Sequence, residues 1–237
     1  MAETNTLSPD VYTRWRQSAL GRITEALESK LVFELAGTLS GKRVLDVGTG
    51  DGVYALQAAL RQAHAVGVDA SPAMLSAASQ RARERHVHVE FREGQAQQLP
   101  FENERFDVVL AVTVLCFVPD PKQAVREMSR VLLPGGRLVL GELGRWSTWA
   151  ASRRLRAWLG NRTWKAAQFW TWKELAALAR DAGLSLEKGR GAIFYPPWGL
   201  AAQAMAPVDS WLGHLHSPGA AFLAVAARKP GPKTMAG

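Results

Sequence analysis

The chain has a single cysteine, Cys116, in 237 residues. That excludes an intrachain disulfide and leaves no thiol set for a metal. Apolar runs are short as well. The longest low-polarity stretch, Val108 to Val118, is 11 residues and contains Thr113, whereas a membrane span needs about 20. The N-terminus is polar and mixed in charge, unlike a secretory signal. No internal repeat or low-complexity tract breaks the sequence. These absences point to a cytoplasmic protein of one domain, or one domain with a cap. Acids are the scarcer charge, 21 against 29 bases, for a net charge of +8. That balance favours anionic partners such as nucleic acid or lipid headgroups, but ordinary enzymes share it. The five histidines include two His-x-His pairs, 86/88 and 214/216. No further ligand lies at metal-motif spacing, so no metal is expected.

What is present is concentrated in Val44 to Gly52, VLDVGTGDG. The pattern reads as a buried strand, an acid near its end, a glycine turn and a helix start. Alternating glycines let backbone pass close to a ligand. Asp46 stands two residues before Gly48. A carboxylate there repels phosphate and attracts a cationic amine, and the spacing is G-x-G-x-G rather than the dinucleotide G-x-G-x-x-G. A second strand ends at Asp69, 21 positions after Gly48, where an acid typically takes ribose hydroxyls. Ser71 and Pro72 then open a helix as N-cap and first residue. Met74 on its first turn suits either an adenine face or the core. A ligand with a nucleoside and an amino-acid ammonium fits this layout better than a dinucleotide does.

Five blocks in order carry a resemblance to a known family: VLDVGTGDG (44–52), VGVDAS (66–71), EGQAQQLPF (93–101), FDVVLAVTVLCFVPD (106–120) and LLPGGRLVLGE (132–142). With them the chain resembles the class I S-adenosylmethionine-dependent methyltransferases, in the type-11 group, over roughly positions 42 to 142. The resemblance implies an α/β fold, a Rossmann-like, doubly wound, seven-stranded and mostly parallel sheet with a helical cap. It implies S-adenosylmethionine as cofactor and a methyl transfer. Asp46, Gly48, Thr49 and Gly50 would line the methionine end, and Asp69 and Ala70 the ribose. Met74, Gln95 and Ala96 would meet the adenine, and Thr113 the sulfonium and substrate. Gln95 replaces the usual aspartate of the family, and Cys116 and Phe117 replace its frequent histidines, so that loop offers no histidine base. A family N-terminal helix with a Tyr-x-x-Trp pattern covers the cofactor. Tyr12 and Trp15 would do so here, or would pack that helix onto the domain.

The expected layout is one domain over 1–237 with a lid helix at 8–37, a cap at 143–170 and a tail without order at 229–237. Strands are expected at 42–47, 65–69, 87–92, 106–112, 136–142, 184–194 and 219–228, and helices at 52–62, 72–85, 121–132 and 171–182. In 121–132 the residues Ala124, Val125, Met128, Val131 and Leu132 make an apolar stripe. Thr171 and Glu174 spell a capping box, and Gly183 a helix stop. Pro134-Gly135-Gly136 reads as a turn before the fifth strand.

The cap segment holds five of nine tryptophans (146, 149, 158, 164 and 170), six bases and no acid. At about 100° per residue, Trp146, Trp149, Ala150, Arg153 and Ala157 fall on one side. Leu155, Trp158 and Leu159 fall on the other. Two apolar sides suit a wedge between the domain and substrate, lipid or a second subunit. Three readings stand: peripheral contact with an anionic membrane, nucleic-acid binding (disfavoured, for want of a base-reading module), and a packed lid. The oligomeric state is not legible. A second apolar stretch, Ile193 to Pro207, reads as a loop bordering the same pocket. Together these favour a small hydrophobic or aromatic acceptor, lipid- or quinone-like included. If a base is used, His214, His216 and Glu142 are the candidates. Two alternatives remain open at this point: a non-catalytic cofactor-binding scaffold, and a nicotinamide-dependent oxidoreductase.

Overall fold

The computed structural model describes residues 14–215 and 218–231. Seven strands form one sheet in the order β3-β2-β1-β4-β5-β7-β6. They are β1 (Arg43–Val47), β2 (His64–Asp69), β3 (Glu90–Glu93), β4 (Phe106–Val112), β5 (Leu132–Leu143), β6 (Ser185–Ala192) and β7 (Phe222–Arg228). β1 runs parallel to β2 and β4, and β7 is antiparallel to both β5 and β6. The helices are α1 (Ala19–Ala36), α2 (Val53–Leu60), α3 (Pro72–Glu84), α4 (Pro121–Val131), α5 (Thr148–Trp158), α6 (Arg162–Ala166), α7 (Trp172–Asp181) and α8 (Gly199–Leu215).

The central strands are apolar on both faces because helices cover both. Val109 and Ala111 of β4 pack with Val125, Met128 and Val131 of α4 and Leu175 of α7. Val108, Leu110 and Val112 pack with Leu31, Val32 and Leu35 of α1. The α4 stripe read from the sequence is that contact, and each of its fully buried side chains contributes about 1.5–3 kcal/mol. β1 lies between β2 and β4, so the chain reverses its winding direction there. Such a switch point opens a crevice beyond the strand C-termini, and the 48–52 turn and Thr113 both lie there.

Local signals decide most element ends. Ser71 accepts from Met74 N with Pro72 behind it, and Thr171 with Glu174 completes the capping box. Lys229, expected to begin a tail without order, is instead held: its N–H donates to Gly136 O at 2.9 Å and its Nζ to Leu132 O at 2.8 Å. The structure departs from expectation at three further places. The N-terminal helix is broken: residues 14–17 make one helical turn, and Ser18 then caps α1 by accepting from Gly21 N while its own hydroxyl donates to Trp15 O at 2.6 Å. Residues 8–13 of the expected helix, with Tyr12, lie outside the described residues. Pro134 to Gly136 falls within β5, as an irregularity where Leu132 pairs with Phe106 and Arg137 with Val108. The stretch read as a loop to Pro207 instead contains most of α8, with Pro207 inside the helix. Alanines 201, 202, 204 and 206 favour the helix, but a proline and the absence of a polar face hide its period.

Candidate functional site

The site is built on the turn after β1. Gly48 has φ +65°, and a Cβ there would stand 2.4 Å from Val114 Cγ2. The turn therefore lies directly against the loop that leaves β4. Gly50 has φ +54° and nothing within 4 Å of a Cβ position. Its open side is room a ligand can use.

Carboxylates brace this turn from three directions. Asp46 is 2% exposed. Its Oδ2 accepts from Thr49 Oγ1 at 2.6 Å and from Ala55 N at 3.1 Å. Burial pushes its pKa to about 7, against those two hydrogen bonds and helped by the charges of Asp69 and Asp51. Asp69, half-buried at the end of β2, accepts from Gly50 N at 2.8 Å through Oδ2 and from Ser71 N at 2.9 Å through Oδ1. Each of its oxygens keeps a further lone pair, which fits a vicinal diol. Asp51, also 2% exposed, is paired with Arg16 from the helical turn before α1 and with Arg81 of α3 at 2.7 Å. This clamp ties the segment carrying Trp15 to the glycine turn. Trp15 itself is half-buried against the α1 face of the core. Arg16 and Arg81 escaped the sequence reading, which had only the uncompensated acid at Asp51 as a signal.

Beyond the turn, Ala70 and Gln95 are exposed and Ala96 is half-buried. Met74 is 7% exposed. Gln95 O accepts from Gln98 N at 3.0 Å, closing a tight turn after β3. Thr113 has φ +57°. A β-branched residue in that region is strained by about 1–3 kcal/mol, and the strain is held by neighbours. Thr113 N donates to Gly141 O at 2.7 Å, while Val114 N and Leu115 N donate to Glu142 Oε1 at 3.0 and 2.6 Å. Glu142 is fully buried, and that burial pushes its pKa to about 7 against the two N–H donors. The structure thus makes Glu142 the anchor of the β4 loop. Burial and the Glu142 charge push the neighbouring Cys116 thiol well up, so it stays protonated. His214 is exposed on α8 with Nδ1 at 2.7 Å from Ser210 O of its own helix. His216 lies outside the described residues.

The cap is tied to α1 through Tyr195. Trp149 and Ala150 are the buried face of α5. Trp149 Nε1 donates to Tyr195 O at 2.9 Å, and Tyr195 Oη lies 3.0 Å from Thr24 Oγ1 of α1. The Arg153 guanidinium lies 5.2 Å from the centroid of the Trp149 ring and 4.7 Å from that of Trp164. Glu28 of α1 is within electrostatic reach of it. Burial raises the Glu28 carboxyl to about 7, with Arg153 the strongest opposing influence. Glu25 and Arg16 act on the same carboxyl, Glu25 raising and Arg16 lowering its pKa. Glu28 was not legible as a site residue, because nothing in a helical sequence marks one glutamate as facing an arginine 125 positions later.

Comparison with known proteins agrees with this geometry. A family model described as a methyltransferase domain matches residues 45–140. The chain is 34% identical over 216 residues to an uncharacterized protein of Mycobacterium tuberculosis, covering 91% of this chain and 70% of that one. It is 35% identical over 173 residues to a ubiquinone biosynthesis O-methyltransferase of Alkalilimnicola ehrlichii, covering 70% and 69%. A crystal structure from Thermotoga maritima, described as a SAM-dependent methyltransferase and possible histamine N-methyltransferase, superposes with a TM-score of 0.70. It is 26% identical and covers 93% of this chain and 95% of that one.

Proposed function

The chain belongs to the S-adenosylmethionine-dependent methyltransferases, in the type-11 group, and from that premise we propose that it methylates a small aromatic or otherwise apolar acceptor of the phenol or quinol kind. The observation that carries this reading is the aromatic cluster of Trp149, Trp164 and Tyr195 under the cap, with Arg153 lying over two of those rings. The relatives named for ubiquinone biosynthesis support it from outside the structure.

When bound, S-adenosylmethionine supplies an electrophilic methyl group on a sulfonium. The residues of the chain do the rest. Asp69 holds the ribose diol with the lone pairs left free by Gly50 N and Ser71 N. Asp46 would hold the cofactor ammonium with the lone pairs that Thr49 and Ala55 leave free. A cation beside that carboxyl favours its charged form, so binding near neutral pH expels a proton. Met74, Gln95 and Ala96 would border the adenine, and the Arg16–Asp51 clamp holds the segment carrying Trp15 to the glycine turn. Glu142, by fixing the 113–115 loop, holds Thr113 at the edge of the reacting groups. Orientation of this kind is the main contribution of a protein to an in-line displacement. A hydroxyl acceptor must also lose a proton, and a base works best with a pKa near the working pH. Glu28, raised to about 7, meets the pKa condition, and its variant tests whether it also reaches the acceptor.

The test is methyl transfer from labelled S-adenosylmethionine to a panel of phenols, catechols and quinols beside amines, sugars and nucleotides. Turnover confined to phenols, catechols and quinols supports the reading, and turnover confined to the polar set overturns it. In Glu28→Gln, kcat should fall about 100-fold and the rise of activity through pH 7 should vanish, with cofactor affinity unchanged. Full turnover in that variant removes Glu28 from the mechanism.

A further inference from the structure

Helix α5 has two apolar faces, and the fold uses only one. Trp149 and Ala150 point inward at 6% and 0% exposure. Ala151, Leu155, Trp158 and Leu159 follow at i, i+4, i+7 and i+8, which places them on one opposite stripe. Leu155, Trp158 and Leu159 are 56%, 82% and 71% exposed. Next to that stripe stand Arg154, Arg156, Arg162 and Lys165, all exposed. None of the four is in an ion pair among the described residues. Arg145, by contrast, is held by Glu174 at 2.8 Å. A second apolar stretch begins at Tyr195, whose carbonyl oxygen accepts from the inward-facing Trp149. Residues 195–208 carry no charge, and Trp198 and Leu200 there are 69% and 83% exposed.

We propose that this outer face of α5 docks the protein onto an anionic lipid surface. Charge complementarity selects that occupant. Four of the six bases of the acid-free 143–170 segment stand exposed beside this face, and each base near an anionic leaflet adds attraction. A two-fold pairing with another copy would set the bases of one face against the same bases of the other. Nucleic acid would leave Leu155 and Leu159 without an apolar partner, whereas the headgroup–acyl boundary accepts aliphatic side chains and places a tryptophan ring at its preferred depth. No described helix is long and apolar enough to cross a membrane, so the contact is peripheral. An apolar acceptor dissolved in the bilayer would then be brought to the helix whose inner side carries Trp149 and Arg153. The docking does not depend on the acceptor, and its test needs no turnover.

The full chain is sedimented with phosphatidylcholine vesicles, with and without phosphatidylglycerol, at low and high salt. Binding to the anionic vesicles, released by salt, is the expected result. The double variant W158S/L159S should weaken partitioning by about tenfold. R154Q/R162Q should weaken it by roughly fivefold per charge. Retained S-adenosylmethionine binding, read by calorimetry, certifies that these variants are folded. A wild type that stays in the supernatant with anionic vesicles at low salt overturns the proposal, as does unchanged partitioning of W158S/L159S. A dimer seen by ultracentrifugation and lost in W158S/L159S, without vesicle binding, assigns the face to a second copy. Oligonucleotide binding without vesicle binding assigns it to nucleic acid. Either outcome overturns the proposal.

Discussion

Replacing Gly48 with alanine tests the contact between the glycine turn and the β4 loop. The alanine must keep φ +65°, which costs about 1–2 kcal/mol. Its methyl also arrives 2.4 Å from Val114 Cγ2, 3.0 Å from Cγ1 and 3.2 Å from Cβ. Val114 has little room to yield, because it is 8% exposed and its N–H is tied to Glu142 Oε1 at 3.0 Å. Overpacking of this kind costs about 1–3 kcal/mol. The sum is about 2–5 kcal/mol, or a fall in Tm of roughly 5–15 °C for a chain of this size. Val114→Ala alone loses about 1.5–3 kcal/mol of burial but removes both offending methyls. The double variant G48A/V114A should therefore be less destabilised than the two single costs summed, by about 1–3 kcal/mol, and should retain only the φ penalty and the cavity. Urea unfolding at constant m reads all three variants, and calorimetry with S-adenosylmethionine reads whether the turn recovers its shape. Additivity to within about 0.5 kcal/mol would refute the close approach of the two loops.

Other consequences follow from the buried acids and the cap. Asp46 and Glu142 are raised to about 7 from 3.8 and 4.5, so the folded chain holds protons that the unfolded chain has released. Their contribution to stability is complete below about pH 4 and is lost as pH rises to about 7, with a slope on the order of 1 kcal/mol per pH unit for each group. Urea midpoints between pH 4 and 8 should show this fall, and Glu142→Gln should flatten part of it; an identical slope in that variant contradicts the assignment. Cofactor binding at pH 7, measured in buffers of different ionisation enthalpy, should release a proton from Asp46, and equal heats in both buffers would exclude that. Trp149→Phe strands Tyr195 O in the interior, which should cost about 1–3 kcal/mol. A variant as stable as the wild type would show that the Trp149–Tyr195 bond does not hold the cap.

Much of the frame was legible because its causes are short-range. Ser71 and Thr171 cap helices with donors three residues away, and the α4 stripe repeats within one helix. The glycine turn with Asp46 and Asp69 was likewise readable, since their spacing follows from one strand–turn–helix unit and its neighbour. What was hidden depends on partners far along the chain. Ser18 breaks the expected N-terminal helix, and the residue after that turn's Trp15, Arg16, finds Asp51 35 positions on. Residues 199–207 are helical despite Pro207 because that helix packs on α1 and β6. The two apolar faces of the 148–158 segment were visible in its periodicity, but which face goes inside was not.

The sequence by itself determined the cofactor end of this protein: a strand, an acid, a turn of glycines and a second acid form a unit whose geometry is set by local backbone preference. Only the tertiary structure decided how the cap and the buried acids are arranged. It turned Trp149 and Arg153 inward and Trp158 outward, gave Glu142 to two backbone amides, and placed Glu28 near a cation from a distant helix. The physical reason is range. Backbone conformation and capping are settled within a few residues, whereas burial, pKa and the choice between two apolar faces are settled by whatever the rest of the chain packs against them.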